Sequence, residues 1–202
     1  MQQEIEATFI DADHTALRSR LAELGGSRLQ PEFLMRRSTY DYPDLRLDSQ
    51  ASWVRVRQEF DRITVGFKQR QSTTIDGMRE VEFTAGDYDS ACAFLCAIGL
   101  QKKAYQETKR ELWRVGGCEV MLDTWPWIPP YVEIEGSSKE AVKALAEKLG
   151  FDWTTALFDS ADAVYMQYYG VARTEICTVD LTFGPVPDWL EAKRIPVRGS
   201  TL

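Results

Sequence analysis

Three pairs of glutamates recur two residues apart with an apolar residue between them: Glu4 and Glu6 around Ile5, Glu80 and Glu82 around Val81, and Glu133 and Glu135 around Ile134. In an extended chain such residues share one face, about 6.5 Å apart, and their charges repel unless something positive lies between them. Two other stretches repeat the figure with the opposite sign: "WVRVRQ" sets Arg55 and Arg57 on one face, and "ITVGFKQR" does the same with Lys68 and Arg70. Carboxylates without histidine or thiolate ligands suit hard cations, and Mg²⁺ in particular takes few of them, keeps waters and bridges to phosphate oxygens. Glu4, Glu6, Asp123, Glu133 and Glu135 are therefore candidate ligands for Mg²⁺ or Mn²⁺. Guanidinium groups bind phosphate bidentately, so the ligand these strands suggest is a polyphosphate that carries a metal.

Composition narrows the alternatives. The single histidine, His14, leaves no material for a histidine metal site or a Ser-His triad. Cys92, Cys96, Cys118 and Cys177 have no zinc-finger spacing and read as reduced thiols. A net charge of −7 argues against a nucleic-acid backbone as partner. No apolar run has membrane-spanning length, and the first thirty residues lack a leader pattern. A cytoplasmic protein with a small-molecule partner is expected, with a homodimer left open.

The chemistry needs a scaffold, and period-two patterning supplies one. "EIEATFI", "RRSTYDY", "SWVRVRQ", "RITVGFKQR", "MREVEFT", "QETKRELWRV", "CEVMLDT" and "YVEIEG" read as eight strands. Helices are expected from Asp13 to Gly25 or Gly26, from Asp87 to Gly99, from Ser137 or Ser138 to Gly150, and from Ser160 onward. In an open sheet the charged faces would be solvated. Closed into a barrel, they would line a polar tunnel with apolar faces outward under the helices. The expected class is α+β: an eight-stranded antiparallel β-barrel with surrounding helices. A tunnel domain over residues 1–170 would be followed by an extension, 171–202, in which Pro185, Pro187 and Pro196 break regular structure and which would wrap or plug the barrel. "DTWPWIPPY" reads as a rigid connection between strands, and its aromatics, with Trp153, are candidates for a tunnel mouth.

In these motifs the chain resembles the CYTH superfamily, the triphosphate tunnel metalloenzymes, which includes class IV adenylyl cyclases, thiamine triphosphatases and inorganic triphosphatases. The resemblance rests on "EIEAT" in place of the family's E-x-E-x-K, then "VRVR", "GFK", "REVEF", "TKRE", "MLD" and "VEIEG" in order. It implies that Arg55, Arg57, Lys68 and Arg110 bind phosphates, with Lys109 a further candidate facing the other way in a regular strand. It implies that Glu4, Glu6, Asp123, Glu133 and Glu135 surround the metal, Glu4 or Glu6 orienting the attacking water, and that Glu80 and Glu82 line the tunnel. The implied activity is hydrolysis of a triphosphate, with cyclisation of ATP as the alternative. Two positions depart from the pattern: Thr8 and Thr108 stand where the family carries lysines, which leaves open a protein that binds a polyphosphate or nucleotide without turning it over.

Overall fold

The computed structural model describes residues 1–196; the last residues of the C-terminal extension, 197–202, lie outside them. Its strands are β1 (Gln2–Glu4), β2 (Glu6–Phe9), β3 (Ser27–Asp41), β4 (Ser52–Glu59), β5 (Arg62–Arg70), β6 (Met78–Ala85), β7 (Gln101–Val115), β8 (Cys118–Thr124) and β9 (Tyr131–Glu135). They form one antiparallel sheet in the order β1-β6-β5-β4-β3-β7-β8-β9-β2. The eight expected segments are all present, and the ninth strand arises because the first is divided at Ile5. Its two halves stitch the two edges of the sheet together: Glu4 pairs with Met78 of β6, while Glu6 pairs with Glu135 of β9. At the break, the Gly136 N–H donates to the Ile5 carbonyl at 3.0 Å and the Glu6 N–H donates to the Ile75 carbonyl at 3.3 Å. The sheet edges are thus consumed and the barrel is closed.

The helices follow their caps. In α1 (His14–Glu23) the Asp13 carboxylate accepts from the N–H groups of Thr15 and Ala16; in α2 (Tyr88–Ala97) Asp87 accepts from Ser90; in α3 (Lys139–Leu149) Ser138 accepts from Ala141, and Gly150 ends the helix at φ +96°. Leu17 and Leu21 of α1, with Val142, Leu145 and Ala146 of α3, bury the outward side chains of β2, β8 and β9, among them Phe9, Leu122 and Ile134. Tyr88 and Leu95 of α2 cover Tyr40, Val56 and Val65 in the same way. Each such aliphatic or aromatic side chain stabilises by about 1.5–3 kcal/mol. These outer clusters, and not the barrel interior, supply the apolar core of the protein.

A third cluster packs against the β8–β9 connection. α4 (Ala161–Tyr169), α5 (Arg173–Ile176) and α6 (Asp188–Glu191) bury Tyr165, Tyr169, Ile176, Leu181 and Leu190 against Trp125 and Ile128 of the β8–β9 connection and Tyr131 at the start of β9. Leu181 is hydrogen-bonded to β7 at both its N–H and its carbonyl, through Tyr105 and Glu107. Residues on either side of position 170 therefore share one core. Trp153 packs on Phe9 and Phe158, away from the tunnel. Among the described residues no helix is long and apolar enough to cross a membrane.

Candidate functional site: a charged tunnel

Strand register decides which side chains face inward. Arg37 lies opposite Arg57, and Thr39 opposite Arg55; Arg55 lies opposite Gly66, and Gly66 opposite Glu82; Lys68 lies opposite Glu80. On the other wall Arg110 lies opposite Asp123, Met121 opposite Glu133, and Glu133 opposite Thr8. Because alternate residues of a strand share a face, these side chains point together into a cavity of about 890 Å³. At Gly66 a Cβ would lie 3.0 Å from a Glu80 carboxylate oxygen, so a larger residue would make the acids that Arg55 holds shift by a few tenths of an ångström.

Most of the interior charge is paired. Arg55 donates to Glu80 at 3.0 Å and to Glu82 at 3.1 Å, while Arg57 bridges Glu82 at 3.4 Å and Glu59 at 3.1 Å. Lys68 lies 2.7 Å from Glu4 and 3.5 Å from Glu80. Arg110 meets Asp123 in a bidentate pair, one arm of which is 2.7 Å, and also donates to Glu133 at 2.7 Å. Asp123 is wholly buried. Glu6 and Glu135 face each other across β2 and β9, and neither makes an ion pair with a described cation.

These environments move several protonation equilibria. Burial pushes the Glu133 carboxyl up to about 8; Asp123, which holds the shared guanidinium bidentately, adds to the rise while Arg110 opposes it. Burial and then the neighbouring Glu6 charge raise Glu135. Burial and the adjoining Glu4 raise Glu80 against Lys68 and Arg55. Glu59 runs the other way: burial alone would raise it, but Arg57, Arg110 and Arg62 outweigh that and hold it at about 2. Burial and Arg55 bring Arg57 down to about 10.

A pH dependence follows. A carboxyl raised to about 8 from 4.5 binds a proton in the folded protein that the unfolded chain has already lost, so between those values stability falls as pH rises. One proton sets a limit of ~1.4 kcal/mol per pH unit. The contribution of Glu59 is present above 4.5 and is lost as pH falls toward 2. The melting temperature of the ligand-free protein is expected to decline from about pH 5 to pH 8. Glu133→Gln should flatten that slope, and a slope equal to that of the wild type would show that Glu133 does not carry it.

The donor set fits a hard divalent cation: it is all carboxylate, and neither Glu6 nor Glu135 is engaged in an ion pair among the described residues. Among the described residues, however, no three such groups converge on one point. Without a counter-ion the acids are drawn apart, Glu4 to Lys68 and Asp123 with Glu133 to Arg110. In this arrangement an ion would take two carboxylates at most, leaving its other positions to water and phosphate oxygens, which suits Mg²⁺ and Mn²⁺ coordination.

One expected residue is misplaced. Lys109 projects from the outer face of β7, exposed, with its ammonium 5.1 Å from the Phe183 ring, because strand alternation turns it away from Arg110. Arg37 and Glu59 are among the cavity-lining residues that escaped the sequence reading. The phase of "RVRQE", which puts Glu59 on the face of Arg55 and Arg57, was the available signal for the second.

The tunnel wall also holds unmet hydrogen-bonding groups. The Nε atoms of Arg55 and Arg57, the hydroxyls of Thr39 and Thr64, the Trp125 indole and the Tyr131 phenol are buried without a partner. All of them can donate, and unsatisfied buried groups of this kind are rare enough to need a cause.

The family model described as the CYTH domain matches residues 2–162. Among curated proteins none matches the chain. Solved structures share its fold. A proposed adenylate cyclase from Vibrio parahaemolyticus is 17% identical and aligns at a TM-score of 0.71 over 81% of this chain and 97% of its own. A conserved hypothetical protein from Pyrococcus furiosus is 18% identical, at a TM-score of 0.67 over 80% of this chain and 99% of its own. A proposed adenylyl cyclase from Hippeastrum, described as having a dominant triphosphatase activity, is 16% identical at a TM-score of 0.59, covering 81% and 95%.

Proposed function

The chain belongs to the CYTH domain family, and from that membership and the chemistry of the tunnel wall we propose that it is a metal-dependent phosphohydrolase that holds a triphosphate compound, inorganic or organic, inside the barrel. The observation that carries this reading is the set of buried donors without partners among paired acids and bases. A ligand rich in anionic oxygens satisfies such donors, and no neutral metabolite does so as fully.

Arg55 and Arg57 turn from Glu80 and Glu82 to phosphate oxygens, and Lys68 turns from Glu4. The acids that these bases leave keep them ionised and oriented until the ligand arrives. Glu6 and Glu135 would hold the ion, and Glu6 would orient the attacking water, since Glu4 is engaged by Lys68 at 2.7 Å. When bound, Mg²⁺ or Mn²⁺ offsets charge on the transferring phosphoryl group. The basic residues fix the phosphate chain for in-line displacement, and the closed barrel limits access of bulk water.

One observation favours a second reading, a tunnel that binds without turnover. Thr8 and Thr108 face the lumen at 4% and 0% exposure, and each lacks the cation of the family pattern. Phosphorus NMR with tripolyphosphate, thiamine triphosphate and ATP, each with Mg²⁺ and then Mn²⁺, separates the possibilities. Orthophosphate release that stops on chelation of the metal is the expected result. Pyrophosphate with a cyclic nucleotide would replace hydrolysis by cyclisation, and ligand-induced thermal stabilisation without product would establish the binding module.

A further inference from the structure

Arg37 is the one cation of the tunnel wall that makes no ion pair among the described residues. It lies on β3, 9% exposed, directly between Arg57 of β4 and Gln106 of β7. One Nη donates to the Thr108 hydroxyl at 3.3 Å, the guanidinium carbon sits 4.5 Å from the centre of the Trp125 ring, and Nε has no partner. The nearby charges are those of Arg55, Arg57 and Arg110, which with burial bring its pKa down to about 9.

An isolated buried cation among like charges is destabilising, and every other cation that lines the cavity is given a carboxylate among the described residues. Apart from the Thr108 hydroxyl no acceptor is hydrogen-bonded to Arg37, and the Arg57 Nε, the Trp125 indole and the Tyr131 phenol are themselves unsatisfied donors. This arrangement becomes favourable only when an anion enters. The hydrogen bond to Thr108 adds the second element, because that position on β7 is the one where the resemblance calls for a lysine.

We propose that Arg37 is a phosphate-binding residue of this tunnel, delivering from β3 the cation that β7 lacks at Thr108. The inference deepens the functional reading above and rests on it: the ligand is a polyphosphate, and one phosphoryl group sits among Arg37, Arg57 and the Trp125 indole. Charge is relocated by one strand and not lost, so the departure at Thr108 does not by itself mark a weakened site.

The test is calorimetric titration of tripolyphosphate, with Mg²⁺ present, into the wild type, Arg37→Met and the double variant Arg37→Met/Thr108→Lys, with melting temperatures of the ligand-free proteins. Methionine keeps an unbranched stem against Trp125. Arg37→Met is expected to bind at least roughly tenfold more weakly, to melt no lower than the wild type, and to regain most of its affinity when Thr108→Lys is added. Affinity within about twofold of the wild type overturns the role of Arg37 and leaves the polyphosphate reading intact. Weakened binding with a lowered melting temperature and no recovery in the double variant assigns Arg37 a structural role, overturning the proposal. If the wild type itself does not bind tripolyphosphate, the polyphosphate reading falls and the inference with it.

Discussion

Glu6→Gln is expected to lower phosphate release by ~10²-fold or more while raising the melting temperature of the ligand-free protein. The two effects have one cause. Glu6 stands at the seam where the barrel closes, directly opposite Glu135, and neither makes an ion pair with a described cation. The repulsion is visible in Glu135, whose carboxyl is raised by burial and then by Glu6. Removing the Glu6 charge relieves that repulsion at once, and the amide keeps nearly the same volume. The same charge is what a divalent cation would bind, and a metal supplies several kcal/mol of transition-state stabilisation, each 1.36 kcal/mol being a factor of ten in rate. Turnover and melting temperature should therefore move in opposite directions, as a site that stores unfavourable charge for its ligand requires. Mg²⁺ should raise the melting temperature of the wild type more than that of the variant. A Glu6→Gln protein that keeps more than about a tenth of wild-type turnover would remove Glu6 from the metal-binding role.

Much of this was legible from alternation alone. Arg55 with Arg57, Glu80 with Glu82 and Glu133 with Glu135 are forced onto common faces by strand geometry, and the cap residues Asp13, Asp87 and Ser138 mark where helices begin. What alternation cannot supply is partnership across strands. Glu4 and Glu6 look equivalent in "EIEATFI", yet Glu4 acquires Lys68 and Glu6 faces another acid, because the strand changes neighbours at Ile5. That change is a consequence of closure, a contact between residues more than seventy positions apart. Arg37 was hidden differently. It is one of two adjacent arginines in "RRSTYDY", and only the register with β4 shows that Arg37 turns inward while Arg36 turns out over the Tyr88 ring. The helices of the C-terminal extension were obscured by their length, four residues each, although Leu190 and Ile176 are as buried as any residue of the barrel's outer core.

Arg110→Met is expected to be the most destabilising single change in the tunnel. The guanidinium holds two acidic side chains at once, Asp123 at 0% exposure and Glu133 beside it. The mutual attraction holds Arg110 charged well above its ordinary range in spite of burial. Removing one partner from a buried ionic group costs about 3–5 kcal/mol because the remaining charge has nothing to offset it. Against a total stability of about 5–15 kcal/mol, that loss lowers the melting temperature by on the order of 10 °C for a domain of this size. The sign of the pH effect separates lost charge pairing from lost packing. Arg110 opposes the rise at Glu133, so without it that carboxyl keeps its proton to higher pH and the deficit should grow as pH is raised above 8, whereas a packing defect would be indifferent to pH. Adding Asp123→Asn should recover part of the loss by removing the buried charge that was stranded. A deficit of less than about 1 kcal/mol, or one that does not change with pH, would mean that water or another base reaches these acids, and the tunnel would then have to be regarded as solvated throughout.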